Sequence, residues 1–269
     1  MTPYAEVIGD PIAHSKSPRI HGFWLDALGI AADYRATHVT PEGLAAYFEA
    51  RRADPDWRGC NITLPHKQAA LDHVEDRGGV RGTIGAINTV IRAEDGALVG
   101  TNTDAGGFYT PIAGLELDGR HAVVIGAGGA ARAILFALSK VGIGRVTILN
   151  RNVLKAAALL SGFGVKGDAV PLGAPLPAAD LLVNASALGM VGQPPLAIDL
   201  SPLPEHAVVY DAVYTPLETD LLAQARMREL DTVDGLEMLV GQAALAFELF
   251  FGAEPPRDRD DELRALLTA

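Results

Sequence analysis

The sequence has 269 residues, which is long enough for two domains. Hydrophobic residues make up 49% and charged residues 20%, the composition of a globular protein with enough apolar side chains for its cores. The formal net charge of -11 disfavours binding to nucleic acid or to an anionic membrane surface, because both select for lysine and arginine.

The single cysteine, Cys60, rules out a disulfide framework within the chain and favours a reducing compartment. We interpret it as a small buried hydrophobic residue, with a nucleophilic thiol as the alternative. Residues 1–8 lack the pattern of a signal peptide, and the apolar stretches are too short to span a bilayer. The seven histidines show no metal-ligand spacing. We therefore expect a cytoplasmic protein without a metal site.

The first hundred residues alternate short apolar stretches with helical ones. Proline at the first position of a helix and an Asp-Gly pair at a turn are typical boundary signals. They predict strands at 5–8, 59–64 and 86–92, a hairpin turn at 95–96, and helices at Ser17–Leu28, 41–53 and 65–74.

The pattern changes near residue 120. Strands without polar alternation, separated by helices, indicate a parallel sheet covered on both faces. We predict such strands at 122–125, 146–149, 181–183 and 208–210, with helices at 130–141, 153–160, 235–252 and 259–267. The predicted fold is α/β: an N-terminal α/β domain of 1–103 and 237–269, to which the last helices return, and a Rossmann-type doubly wound parallel-sheet domain of 104–236.

Residues 123–131, Val-Val-Ile-Gly-Ala-Gly-Gly-Ala-Ala, match the dinucleotide-binding fingerprint, with alanine in its last position. The first glycine makes the tight turn, the second admits the pyrophosphate, and the helix N-terminus supplies amide donors. The motif lies between a predicted strand and a predicted helix, the context that supports it. A merely glycine-rich turn is the alternative. The predicted cofactor-binding residues here are Gly126, Ala127, Gly128, Gly129 and Ala130.

The next strand ends in Asn150-Arg151-Asn152, and Lys155 follows one helical turn later. NAD sites usually place a carboxylate here for the ribose hydroxyls, and this segment has none. Two cations spaced i, i+4 can instead hold a 2′-phosphate. We therefore predict NADP(H) as the cofactor, bound by Asn150, Arg151 and Lys155. The alternative is that both cations are solvated side chains at the start of a helix.

Four polar segments precede the glycine loop: GDPIAHSKSP at 9–18, NITLPHK at 61–67, GAINT at 85–89 and GTNTD at 100–104. In this order they resemble the motifs of the shikimate dehydrogenase family. Each segment alone has an ordinary interpretation as a helix cap, a solvated lysine or a turn. Hydroxyl groups at a helix start can, however, join its free amides around an anion.

The resemblance implies a role for each matching residue. Ser15 and Ser17 would hold the carboxylate of the substrate. Lys67 would be catalytic and pair with Asp104. Ring hydroxyls of the substrate would be bound by Asn61, Thr63, Asn88 and Asp104.

Three segments beyond the glycine loop extend the resemblance: NASALGM at 184–190, DAVYTPL at 211–217 and DGLEMLVGQA at 234–243. The resemblance implies that Tyr214 lies near the substrate and that Gln242 binds it, with Ala212 and Gly235 completing the cofactor site. In the first segment, Ser186 and Ala187 replace the threonine and serine of the family, so no hydroxyl contact is assigned there.

The implied reaction is NADPH-dependent reduction of the ketone of 3-dehydroshikimate to shikimate, in aromatic amino-acid biosynthesis. Lys67 and Asp104 suit proton transfer and charge stabilisation, but which of them is the general acid is left open. A quinate/shikimate or aminoshikimate dehydrogenase would share nearly every motif. A non-catalytic NADP-binding regulator is a more distant alternative, expected to lose the Lys67–Asp104 pair first. A monomer and a homodimer are both compatible with the sequence.

Overall fold

The computed structural model describes residues 2–269, in which strands and helices alternate along the chain. One compact unit comprises the chain up to Thr103 together with Val240–Ala269, and the second comprises Asp104–Leu239. Each unit contains one β-sheet.

The elements in chain order are as follows. The strands are β1 Tyr4–Gly9, β2 Asp33–His38, β3 Trp57–Ile62, β4 Thr89–Arg92, β5 Leu98–Thr101, β6 His121–Ile125, β7 Arg145–Leu149, β8 Gly167–Val170, β9 Leu181–Asn184, β10 Val208–Asp211 and β11 Asp231–Val233. The α-helices are α1 Ser17–Leu28, α2 Leu44–Arg52, α3 Val80–Thr83, α4 Asp104–Tyr109, α5 Gly129–Lys140, α6 Val153–Phe163, α7 Asp220–Met227, α8 Gly235–Phe251 and α9 Asp260–Thr268. Within residues 2–269, no helix is both long enough and apolar enough to cross a membrane.

The sheet of the first unit has the order β2-β1-β3-β4-β5. Strand β1 is parallel to both of its neighbours, whereas β3-β4 and β4-β5 are antiparallel pairs. Every residue of β1 is buried, including the carboxylate of Glu6. That carboxylate accepts hydrogen bonds from Tyr47 (2.7 Å), Trp57 (2.9 Å) and the guanidinium of Arg51, which offsets the cost of burying its charge. The strand that leads into residues 9–18 is thus fixed from several sides.

The second sheet has six parallel strands in the order β11-β10-β9-β6-β7-β8. The first strand in sequence, β6, lies at the centre, so the connections run outwards in both directions from it. This is the doubly wound order of dinucleotide-binding folds, in which ligands bind at the carboxyl ends of the strands where the order reverses. Residues 122–125 are fully buried, as continuous apolar strands require. The predicted fold class is confirmed.

The segment 65–74 is not the α-helix that the sequence predicts. It turns through residue 68 and then forms the 3-10 helix Ala69–His73. The amide of Glu75 donates to the carbonyl of Leu98 at 2.8 Å, and the amide of Gly100 donates to the carbonyl of Glu75 at 2.9 Å. This pairing with β5 requires extended backbone directly after His73, so the helical pattern cannot continue.

Candidate active site

Asn88 is the centre of a buried hydrogen-bonded network in the first unit, with 2% of its surface exposed. Its side-chain amide donates to Thr103 Oγ1 at 2.9 Å and to Gln242 Oε1 at 3.2 Å. Its Oδ1 atom accepts from the backbone amide of Thr103 at 2.6 Å. The fold therefore brings Asn88 and Gln242, which the sequence places 154 residues apart, into direct contact.

Asn61, at the end of β3, joins the same network. Its Nδ2 atom donates to the carbonyl oxygen of Asn88 at 3.3 Å and to Thr89 Oγ1 at 3.1 Å. Its Oδ1 atom accepts from the hydroxyl of Tyr34 at 2.6 Å. Because both ends of the Asn61 amide are engaged, its orientation is fixed, as a residue that recognises a hydroxyl requires.

Ser15 and Ser17 lie at the start of α1, as predicted. The backbone amide of Ser17 donates to Ser15 Oγ at 3.3 Å, so the two residues form one tight turn. Ser17 is buried, whereas Ser15 is half-buried. Burial raises the pKa of Tyr34 well above its ordinary value, so this phenol stays protonated and can donate. Tyr34 is therefore the donor in its hydrogen bond to Asn61 Oδ1.

The backbone of the loop after β3 is held on both sides of the site. The amide of Thr63 donates to the carbonyl of Ile8 at 2.9 Å, and the carbonyl of Lys67 accepts from Ile87 at 2.7 Å. Lys67 is half-buried, and its backbone is bonded to the residue that precedes Asn88. The amide of Ile62 donates to the carbonyl of Asn88 at 2.7 Å, so the backbones of Thr63, Lys67 and Asn88 lie at neighbouring positions in the first unit.

Asp104 is the first residue of α4 and of the second unit, and it is buried. The start of a helix favours a carboxylate, because the unpaired amides there carry partial positive charge. Lys67 belongs to the first unit, so its pairing with Asp104 stays a prediction from the sequence.

The glycine loop connects β6 to α5 and contains two different kinds of glycine. Gly126 has a φ of +107°, and a Cβ atom there would lie 3.1 Å from the carbonyl oxygen of Ala185, so the protein itself requires glycine. Gly128 has extended backbone (φ -93°, ψ -164°), and a Cβ atom there would meet no protein atom within 4 Å. Nothing in the fold explains glycine at 128, whereas a pyrophosphate lying against the backbone would. Ala127 is buried beside it, while Gly129 and Ala130 begin α5 half-buried.

Arg151 and Lys155 are both exposed at the turn between β7 and α6. Asn152 caps α6 by accepting the backbone amide of Lys155 at 3.0 Å, and the side chain of Asn150 donates to the carbonyl of Asn152 at 2.8 Å. Within residues 2–269, neither cation makes an ion pair. Two exposed cations on a well-capped turn fit a phosphate group, so this part of the chain suits the 2′-phosphate of NADP.

The ends of β9 and β10 carry a second buried network. Asn184 donates to Asp211 Oδ1 at 2.9 Å and accepts the hydroxyl of Ser186 at 2.7 Å, while Thr219 donates to Asp211 Oδ2 at 2.7 Å. Burial raises the pKa of Asp211. The hydroxyl of Ser186, whose role the sequence leaves open, therefore bonds within its own loop. The Cβ atom of Ser186 would lie 3.2 Å from a Cβ atom added at Gly126.

Ala212, Tyr214 and Gly235 follow these strands in the second unit. The amide of Ala212 donates to the carbonyl of Asn184 at 2.9 Å. Tyr214 is half-buried, and burial raises its pKa. A Cβ atom at Gly235 would lie 2.5 Å from the carbonyl of Val213, so close backbone packing is sufficient to explain this glycine. A contact between Gly235 and the cofactor is therefore not needed to explain this glycine, and it stays a prediction from the sequence.

Three members of the first network were not predicted from the sequence: Tyr34, Thr89 and Thr103. Thr89 follows Asn88, and Thr103 precedes Asp104. Their position next to a predicted site residue is the sequence signal that indicates them. Tyr34 lies on β2, where mostly exposed positions surround one buried aromatic residue. A short edge strand of this kind has a weak pattern, so the sequence predicts neither β2 nor a role for Tyr34.

Comparison with known proteins identifies the family. Three family models match the chain: the shikimate dehydrogenase substrate binding domain at residues 7–90, shikimate / quinate 5-dehydrogenase at 111–188, and the shikimate 5′-dehydrogenase C-terminal domain at 235–260. The shikimate dehydrogenase (NADP(+)) of Sphingopyxis alaskensis is 67% identical, an alignment that covers 100% of this chain and 98% of that protein.

Solved structures agree with this assignment. Shikimate 5-dehydrogenase from Thermus thermophilus, in complex with NADP(H) and shikimate, is 39% identical with a TM-score of 0.84, covering 99% of this chain and 100% of that one. Quinate dehydrogenase from Corynebacterium glutamicum, in complex with NAD, is 31% identical with a TM-score of 0.87, covering 98% and 99%. The chain belongs to the shikimate dehydrogenase family.

Proposed function

We propose that this chain is an NADP-dependent shikimate dehydrogenase, which reversibly reduces the ring ketone of 3-dehydroshikimate to the alcohol of shikimate. The observation that carries the proposal is the buried network of Asn61, Asn88 and Gln242 in the first unit. It presents fixed amide groups next to Lys67, in a family whose members include a 67% identical NADP shikimate dehydrogenase. Such an arrangement suits a small polyhydroxylated ring better than an apolar substrate.

The cofactor proposal rests on the second unit. NADPH, when bound, supplies the hydride for the reduction. Gly126 to Ala130 would hold the pyrophosphate, because Gly128 leaves space and the start of α5 offers amide donors. Asn150, Arg151 and Lys155 would hold the adenosine phosphate end, with Ala212 and Gly235 beside the nicotinamide half.

In this proposal, polar residues from several segments of the chain bind the substrate. Ser15 and Ser17 donate hydroxyl hydrogens to the carboxylate of the substrate, and the start of α1 adds its dipole. The ring hydroxyls are bound by Asn61, Thr63, Asn88, Asp104, Tyr214 and Gln242.

During reduction, negative charge develops on the ketone oxygen of the substrate. The ammonium of Lys67 stabilises that charge, and either Lys67 or Asp104 delivers the proton that converts the alkoxide to an alcohol. In the reverse direction, the same residue accepts the hydroxyl proton. The fixed backbone of Lys67 supports this role, because a misplaced proton donor loses most of its effect.

We also propose a separate function for each domain. Residues 1–103 and 237–269 would bind the substrate, and residues 104–236 would bind NADP. We place the enzyme in the cytoplasm, because its single cysteine suits a reducing compartment. For its oligomeric state we propose a monomer or a homodimer.

The test is consumption of NADPH by the purified chain with 3-dehydroshikimate, compared with the variant Lys67→Ala. We expect the substitution to lower kcat by at least about a hundredfold with little change in KM, the usual scale for a positioned proton-transfer group. Circular dichroism of both proteins controls for folding. Turnover of the variant within a few-fold of the wild type would make Lys67 a surface cation and refute the mechanism.

A further inference from the structure

Lys16, which stands between the two serines of the proposed carboxylate site, is bonded to the other end of the chain. Its Nζ atom donates to the carbonyl oxygen of Leu267 at 2.6 Å, across 251 residues of sequence. Leu267 belongs to the last turn of α9, where carbonyl groups lack partners within the helix and carry the negative end of its dipole. An ammonium group is well suited to bond there.

This contact ends on a firmly packed element. Leu263 and Leu267 of α9 are both buried, at 0% and 2% exposure. A second cation, Arg19 in the first turn of α1, donates to the carbonyl of Leu266. Partial burial, with repulsion from Arg19, lowers the pKa of Lys16, so its ammonium is not fully solvated as an ordinary surface lysine would be.

The backbone of Lys16 also determines where the serines lie. Its carbonyl accepts from the amides of Arg19 (3.0 Å) and Ile20 (3.1 Å), the first hydrogen bonds of α1. Lys16 is the residue preceding this helix, and its side chain does not cap it. Ser15 and Ser17 are therefore attached to a residue whose backbone starts α1 and whose side chain reaches α9.

We propose that Lys16 is a positioning residue for carboxylate recognition, which holds Ser15 and Ser17 in place by anchoring the turn between them to the C-terminal carbonyl of α9. The inference rests on the proposed function, because it requires that the two serines bind the substrate carboxylate. It assigns to the C-terminal helix a role in substrate affinity.

The test compares steady-state constants of the full-length enzyme with those of Lys16→Met, which removes the ammonium and keeps much of the side-chain volume. We expect the KM for shikimate to rise about fivefold, while kcat and the KM for NADP stay within about twofold, since the carboxylate lies away from the reacting carbon. Lys16→Arg should restore the KM to within about twofold of the wild type, because a guanidinium can donate to the same carbonyl. An unchanged KM for shikimate in Lys16→Met would overturn the inference.

A further variant separates positioning from helix docking. Arg19→Met removes the neighbouring contact to α9 from a residue that does not stand between the serines, and it should leave the KM for shikimate within about twofold. An equal rise in Arg19→Met would assign the effect to docking of α9 and sink the role of Lys16.

Ser15→Ala distinguishes this inference from the proposed function. If Ser15→Ala leaves the KM for shikimate unchanged, the carboxylate site itself is wrong. If Ser15→Ala raises that KM and Lys16→Met does not, the carboxylate site stands and only the role of Lys16 fails.

Discussion

His21 shows how a residue beneath the site affects stability. It is fully buried in α1, and its ring stacks on that of Tyr34 with centroids 3.9 Å apart. Neither ring nitrogen has a hydrogen-bond partner within the described residues, and burial lowers the pKa of His21 to about 3. The imidazole is therefore neutral in the folded protein, whereas the unfolded chain binds a proton below about pH 6.5.

We therefore expect the contribution of His21 to folding to depend on pH. Its lowered pKa means that the unfolded state gains the proton first, so stability is full above pH 6.5 and falls as the pH drops towards 3. At about pH 5 the loss from this residue is about 2 kcal/mol. Urea unfolding of the wild type and of His21→Phe, which keeps an aromatic ring without a titrating group, measures it. The variant should gain stability relative to the wild type as the pH falls; a difference that is constant with pH would contradict the assignment.

Asn61, Asn88 and Gln242 can be predicted from the sequence as candidate site residues, because each stands in a motif. Their mutual hydrogen bonds cannot, because contacts across 27 and 154 residues depend on how the elements around them pack. Tyr34 belongs to a short edge strand with a weak pattern, and its partner Asn61 is 27 residues away, so the sequence indicates no role for it.

At the scale of elements, the strand-to-helix turns of the second unit were the most predictable part of the molecule. Continuous apolar strands and a glycine fingerprint locate β6 and α5 directly. Short elements with polar or mixed composition, such as β8, β11 and α7, have no comparable pattern and were not predicted. The prediction of a helix at 65–74 is wrong, because Glu75 pairs with β5 and no local sequence pattern indicates that pairing.

The two glycines of the fingerprint should respond differently to alanine. Gly126→Ala places a side chain at φ +107° and 3.1 Å from a carbonyl oxygen, so it should destabilise the fold by about 1–3 kcal/mol. Gly128→Ala meets no protein atom and needs no unusual backbone, so the melting temperature should stay near that of the wild type. It should nevertheless weaken NADP binding by roughly tenfold, because the added methyl occupies the space of the pyrophosphate. Thermal melts and NADP titration measure the pair; unaltered NADP affinity in Gly128→Ala would argue against this binding mode.

The turn between β7 and α6 should determine the choice of cofactor. Replacing both cations, as Arg151→Ser with Lys155→Ala, should lower the preference for NADP over NAD by at least about tenfold, since each charge-assisted hydrogen bond is worth about 1.5–3 kcal/mol. The efficiency with NAD should change little. Lys166→Ala, at another exposed lysine of the same unit, is the matched control. Equal losses with both cofactors would mean that Arg151 and Lys155 serve the fold and not the phosphate.

At the scale of the whole molecule, the fold class and the family could be predicted from the sequence, and the family comparisons confirm both. The division of the chain that the structure gives places its second boundary after Leu239, inside α8, rather than after residue 236. A boundary within a continuous helix leaves no turn signal in the sequence. The net charge of -11 also means that an anionic substrate depends on local cations and hydroxyls for its attraction.

The central prediction for the whole molecule concerns its choice between shikimate and quinate. Shikimate is unsaturated at the carbon that bears the carboxylate, whereas quinate is saturated there and carries an additional hydroxyl. If Ser15 and Ser17 both donate to the carboxylate, as we propose, that hydroxyl must displace a serine or be buried without a partner, at a cost of about 1–3 kcal/mol.

The most direct measurement is the initial rate of cofactor reduction at about 340 nm, the absorbance of the reduced nicotinamide, with shikimate and with quinate, each against NADP and NAD. We expect kcat/KM for shikimate with NADP to exceed that of each of the other three combinations by at least about tenfold. Comparable efficiency with shikimate and quinate would contradict this expectation, and would assign the chain instead to the quinate/shikimate dehydrogenases of the same family.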